Sequence, residues 1–219
     1  MTGSVILSED LPIELARMFP GGVSRCEIFG KGPTYRNTPR EEGVLRVCAN
    51  ESAIHTCGPG LIVCNDLEPL QRIHSAFSES PRDPCPILFP EYPHVHTVPR
   101  DGYDSYPCYE ALRSMGFDLI PFNIKTTPKA SHALPNIKSC ISSVNTALEF
   151  VVTNLPSLVR IDTYGFAAKG TDHHPTFAGY DTNPKADECW LNGLRADAER
   201  ILAERNSRRD LPRLELFRN

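Results

Sequence analysis

Short apolar runs that break off abruptly at glycine or asparagine constrain this chain more than any other feature. Arg25-Cys26-Glu27-Ile28-Phe29 ends in Gly30-Lys31-Gly32-Pro33-Thr34. Val44-Leu45-Arg46-Val47-Cys48 ends at Asn50, and Leu61-Ile62-Val63-Cys64 ends at Asn65-Asp66. Runs this short and this apolar, bounded by turn residues, predict strands covered on both faces. Helical periodicity follows them: Leu67, Leu70, Ile73, His74 and Phe77 share one side of a helix over Leu67 to Phe77. Ile87-Leu88-Phe89 reads as a fourth strand, Tyr106 to Met115 as a helix stopped by Gly116, and Asp118 to Phe122 as a short extended segment. Ser142 or Ser143 caps a helix over Val144 to Leu155, which Pro156 ends. Leu158 to Tyr164 is the next strand, closing at Gly165-Phe166. Ala186 to Asn206 is a long helix with Trp190, Leu191, Leu194, Ala198, Ile201 and Leu202 at its apolar positions. Strands alternating with helices predict an α/β fold, a mostly parallel sheet with helices on both faces.

The length of 219 residues suits one domain spanning 1–219, and 40% hydrophobic with 23% charged residues can bury a core. The 20 prolines crowd the middle of the chain. They mark residues 78–140 as a proline-rich acceptor or lid region, with Lys125 to Asn136 expected to be its mobile part. A net charge of −4 argues against a broadly basic nucleic-acid coat. Of the eight cysteines, Cys26, Cys48 and Cys64 sit in or at the end of strand-like runs, and no Cys-x-x-Cys pair occurs. Reduced thiols in a cytoplasmic protein are therefore expected. The first twenty residues lack a basic start before a long apolar run, and no stretch reaches the length of a membrane span.

In parallel sheets ligands collect at the carboxyl ends of the strands. Here those ends carry glycine loops, asparagines and a serine helix start. Glycine lets backbone approach a ligand, a helix start offers N–H groups to an anion, and asparagine both donates and accepts. Together they suggest a nucleotide pocket, although a tight turn with ordinary strand-end asparagines explains each one singly. Neither G-x-G-x-x-G nor G-x-x-x-x-G-K-[ST] is present.

Residues 25–34, followed by Leu45-Arg46-Val47-Cys48-Ala49-Asn50, resemble the first nucleotide-binding motif of sialyltransferases. Ser142-Ser143-Val144 through Leu155, and on to Val159-Arg160-Ile161-Asp162-Thr163-Tyr164-Gly165-Phe166, resembles that family's later motif, with His173 or His174 shortly after it. The resemblance runs over about Arg25 to Leu202. It implies a single Rossmann-like domain and a glycosyltransferase using a nucleotide-sugar donor, CMP-linked, with neither a metal nor any other cofactor. It further implies that Gly30, Lys31, Gly32, Pro33, Thr34, Asn50 and Asn65 hold the nucleotide, with Gly165 and Phe166 beside them. Ser142 and Ser143 would meet the donor's phosphate or carboxylate. His174, or His173, would be the general base toward the hydroxyl of an acceptor glycan or similar molecule. Lys169 and Tyr164 would stabilise the leaving group. Lys31 stands where that family has Asn, Val144 where glycine is common, and Ala167 and Ala168 where bacterial relatives have Asp and an aromatic.

Other readings of the same residues stay open. His173-His174 with Asp172 and Asp181, or His94-x-His96, has metal-ligand chemistry. Cys108 and Cys140 are candidate nucleophiles. Tyr103, Tyr106 and Tyr109 are a candidate acceptor platform, and the tail Arg205-Asn206-Ser207-Arg208-Arg209 with Arg213 a candidate phosphate contact. Nucleic acid is then an alternative acceptor, through a DNA-modifying glycosyltransferase. A nucleotidyl or pyrophosphoryl transferase and a non-catalytic nucleotide-binding module are the remaining classes.

Overall fold

A computed structural model describes residues 2–90, 107–122, 137, 142–166, 174–178 and 188–218, with the backbone alone for 188–190. The described residues form one all-parallel sheet of seven strands. The strands are β1 (Arg25–Phe29), β2 (Val44–Ala49), β3 (Leu61–Val63), β4 (Ile87–Pro90), β5 (Leu119–Phe122), β6 (Arg160–Tyr164) and β7 (Glu215–Arg218). Their spatial order is β5-β4-β3-β2-β1-β6-β7. Helices α1 (Leu11–Met18), α2 (Ser52–His55), α3 (Leu67–Glu79), α4 (Pro107–Ser114), α5 (Ser143–Asn154) and α6 (Glu188–Asn206) flank it. This is a Rossmann-like α/β fold, with the parallel sheet between helices that the alternating pattern predicts.

Alternate side chains of each strand feed two cores. Cys26 and Ile28 of β1 and Leu45 and Val47 of β2 pack with Leu15 of α1, Phe150 and Val151 of α5 and Ile201 of α6. Phe29, Cys48 and Ile62 point the other way, toward Ala53 of α2, Leu70 and Ile73 of α3 and Leu112 of α4. Both faces are covered, so the strands show no polar–apolar alternation. Cys26 of β1, Cys48 of β2 and Cys64, the residue after β3, are each 0% exposed. The six cysteines whose side chains are described are free, and only Cys57 among them is exposed.

The winding reverses at β1. From β1 the chain steps outward through β2, β3, β4 and β5. It then returns along α5, which lies over β1, β2 and β3, to place β6 on the other side of β1. The seam between β1 and β6 is thus the switch point, where such sheets receive ligands.

Three elements lie beyond what the apolar pattern announces. Glu9 and Asp10 before α1 and Glu14 within it break up the apolar run, yet Leu11 and Leu15 are one helical turn apart and form the buried side. Strand β7 is an edge strand, mostly exposed, so it carries no apolar run. Helix α2 is a single turn. The proline-rich 78–140 stretch contributes β4, α4 and β5 to the folded sheet. Pro121 is tolerated because β5 lies at the edge, with only Val5 bridging to Leu119 on its outer side. Residues 78–86, 115–118 and 137 of that stretch are also described, while 91–106, 123–136 (with Lys125 to Asn136) and 138–140 lie outside the described residues. No helix among the described residues is long and apolar enough to cross a membrane.

Candidate functional site

The carboxyl ends of β1, β2, β3 and β6 meet at the start of α5, and main-chain contact joins the two resemblance-bearing segments. Gly30 N–H donates to the Tyr164 carbonyl (2.8 Å) and Gly32 N–H to the Gly165 carbonyl (2.8 Å). Gly165 N–H donates to Thr34 Oγ1 (3.1 Å). The backbones are so close that a Cβ on Gly30 would lie 2.6 Å from the Gly165 carbonyl oxygen, and one on Gly165 would lie 2.5 Å from that of Gly30. Gly165 also has φ +68°, a conformation that L side chains avoid.

Gly165→Ala is therefore expected to cost about 2–4 kcal/mol, the sum of a left-handed penalty and an overpacking clash. Gly43→Ala is the control: its φ is +74° with nothing within 4 Å, so it carries the backbone penalty alone. Urea unfolding of the two variants measures the difference, and equal losses would show that the seam yields freely.

Asn50, Asn65 and the two serines are drawn into one hydrogen-bonded chain. Asn50 holds φ +55° at the end of β2. Ser143 Oγ donates to Asn50 Oδ1 (2.9 Å) and accepts from Asn65 N–H (3.1 Å). Asn65 Nδ2 donates to Thr146 Oγ1 (3.0 Å). Ser142 is the N-cap of α5: its Oγ accepts from Asn145 N–H (3.2 Å) and donates to Asn145 Oδ1 (3.1 Å). The Ser143 hydroxyl thus ties two strand ends to the helix and the Ser142 hydroxyl caps it, so the helix start offers main chain. Asn65 is 4% exposed, and its Oδ1 finds no donor among the described residues. A buried carbonyl oxygen left this way suits a ligand that brings an N–H or O–H.

Lys31 does not extend toward solvent. Its ammonium pairs with Glu51 Oε2 at 2.7 Å, and Arg72 Nη1 holds Glu51 Oε1 at 2.7 Å. Glu51 is 0% exposed. Burial alone would raise its carboxyl, but the charge and hydrogen bond of Lys31 and the hydrogen bond of Arg72 outweigh it and hold the carboxyl below the ordinary carboxylate range. Glu51 and Arg72 are site residues that sequence reasoning missed; a lone acid after a strand-end asparagine carries no signal of burial.

His174 is at the same rim. Its N–H donates to the Lys31 carbonyl at 2.9 Å, which docks its segment on the glycine loop. The ring meets the edge of Tyr35, whose own ring packs on Phe177. His174 Nδ1 accepts from Thr176 N–H (3.2 Å) and lies 3.0 Å from Thr176 Oγ1.

Other expected residues fall differently. The Tyr164 ring stacks on Phe29, 6% exposed, with the Arg36 guanidinium over it. Phe166 is 4% exposed and belongs to the core beneath α5. Each of these rings acts as packing in this arrangement. Pro33 is exposed at the loop's outer turn. Tyr109 is buried against Phe89, so it offers no platform to an acceptor. Burial pushes the Cys108 thiol up to about 11, against its use as a nucleophile near neutrality. Arg205 is buried and donates to the Pro156 carbonyl, and Arg208 pairs with Asp210 at 2.8 Å, so the basic tail is spent partly on the chain itself. His173, Lys169, Cys140, His94, His96, Tyr103, Tyr106, Ala167, Ala168, Asp172 and Asp181 lie outside the described residues. Among the described residues no group of three or more His, Cys, Asp or Glu side chains is arranged to hold a metal ion.

Fold and rim together define a class: a Rossmann-like α/β domain whose two glycine-bearing loops and a histidine segment converge at the topological switch point. No family model, curated protein or solved structure matches the chain.

Proposed function

We propose that this chain is a glycosyltransferase of the sialyltransferase kind, moving a sugar from a CMP-linked donor to an acceptor hydroxyl. One observation carries the reading. The loop after β1, the loop after β6 and His174 are joined by main-chain hydrogen bonds at one end of the sheet. The acceptor oxygen attacks the anomeric carbon, the bond from that carbon to the phosphate oxygen breaks, and CMP leaves with the bonding electrons. The acceptor's proton goes to His174 Nε2. The nucleotide lies over the Gly30–Gly165 seam and meets main-chain N–H groups of the α5 start, which suit a phosphate. Asn65 Oδ1 accepts a hydrogen bond from an amine or hydroxyl of the nucleoside.

Thermal unfolding with CMP, UDP, GDP or ADP tests this. A nucleotide at 100 times its Kd adds about 2.7 kcal/mol, which at this chain length raises Tm by roughly 5–10 °C. CMP is expected to give the shift, without added divalent ion. No shift with any nucleotide overturns the reading. Transfer that requires a divalent ion and stops in chelator would assign the chain to nucleotidyl or pyrophosphoryl transfer instead.

A further inference from the structure

We propose that Glu51 is a positioning residue for this rim: through Lys31 it fixes the segment that carries His174. The role given to His174 rests on the reading above; the mechanical link does not.

Glu51 lies in the short turn after β2 and precedes α2. Its carboxylate is removed from solvent, which is strongly unfavourable unless it is paired. Both oxygens are met by cations, Lys31 Nζ and Arg72 Nη1, each at 2.7 Å. Arg72, of α3, satisfies the second carboxylate oxygen, while Glu51 itself is held by the backbone where β2 ends and α2 begins. Lys31 is the other partner. The Lys31 side chain is only 13% exposed, and its carbonyl is the acceptor for His174 N–H at 2.9 Å. On either side of it, Gly30 and Gly32 are bonded to Tyr164 and Gly165. Residue 31 is therefore held by its neighbours' main chain and by its own side chain, and the peptide carbonyl it presents is aimed by both. Glycines allow many orientations, so a loop with glycine on both sides of residue 31 gains most from an anchored side chain.

The link is read at the His174 amide. Hydrogen exchange followed by NMR is measured for the wild type, Glu51→Gln, Lys31→Met and Arg72→Met, with Ile28 and Val47 amides as references for global opening. Glu51→Gln keeps shape and loses the charge. Lys31→Met keeps the Glu51–Arg72 pair and removes only the arm to residue 31. Both are expected to speed His174 exchange at least ten-fold relative to the references. Arg72→Met, which leaves the Lys31–Glu51 pair, is expected to change it less than two-fold. Unchanged His174 exchange in Lys31→Met overturns the proposal, even where Glu51→Gln fails to fold. Equal acceleration in all three variants also overturns it, because the change would then follow from disturbing the buried charge cluster as a whole and not from the arm to residue 31.

If the glycosyltransferase reading holds as well, Glu51→Gln lowers kcat at least ten-fold with donor KM within three-fold of wild type. A wild type inactive toward every nucleotide sugar refutes that reading, while the exchange result still decides the role of Glu51.

Discussion

His174→Ala is expected to lower turnover by about 10²- to 10⁴-fold, the range for loss of a general base, with CMP binding retained. The imidazole has two ways of bonding to Thr176, and they differ in what they leave at Nε2. When Nδ1 accepts Thr176 N–H, the neutral ring carries its proton on Nε2 and is a donor there. When Nδ1 carries the proton and donates it to Thr176 Oγ1, 3.0 Å away, Nε2 is bare and basic. The base reading needs the second tautomer, and Thr176 Oγ1 is the group that stabilises it. The measurement is steady-state transfer to an acceptor, paired with the CMP-induced Tm shift in the same variant. A kcat within three-fold of wild type removes His174 from the role. Loss of the Tm shift would mean that His174 holds the donor rather than the acceptor proton.

Arg46→Met is expected to destabilise the fold by about 3–5 kcal/mol, the cost of stripping one partner from a buried charge pair. Arg46 and Glu27 are each 1% exposed, on adjacent strands in direct register, with Nε 3.2 Å from Oε2. The guanidinium does more than pair. Nη1 donates to the Cys57 carbonyl, and Nη2 to the carbonyls of Thr38 and Pro39 and to Thr38 Oγ1, at 2.6–2.8 Å. It thus fastens two loops to the sheet. One of them, residues 33–43, carries Tyr35, which lies against His174. Methionine keeps the stem and leaves Glu27 with the more distant Arg25 at 3.7 Å. The double variant Glu27→Leu/Arg46→Met should lose less than Arg46→Met alone, since no buried charge is then left uncompensated. Urea unfolding at pH 7 measures both. A loss under 1 kcal/mol for Arg46→Met would show the pair to be ornamental to stability.

Arg46 also shows why a sequence pattern can point to the right place for an incomplete reason. In the linear chain it belongs to a strand ending in asparagine, part of the sialyltransferase-like motif. In the fold its side chain bonds to Glu27 and to the carbonyls of Thr38, Pro39 and Cys57. Ser142 and Ser143 behave alike: they stand at the expected helix start, yet their hydroxyls cap α5 and clamp Asn50 and Asn65. Lys31 is the reverse case. Its place in a glycine loop suggests a phosphate partner, and the partner it has is a carboxylate distant in no obvious way from the sequence but invisible in it. Charge pairing across a loop depends on which groups are denied water, and burial of Glu51 is decided by α3, whose Arg72 completes the pair.

The order of strands and helices, and the glycine and asparagine at the strand ends, were determined by the sequence alone. They follow from local physics: apolar run length, helical period, proline and glycine geometry. Which strand lies beside which was decided only by the tertiary structure. The return of β6 to the far side of β1 brings Gly165 against Gly30 across 135 positions of chain, and no local preference encodes that contact. The same holds for α1 and the edge strand β7, whose stability comes from the sheet they join rather than from their own residues.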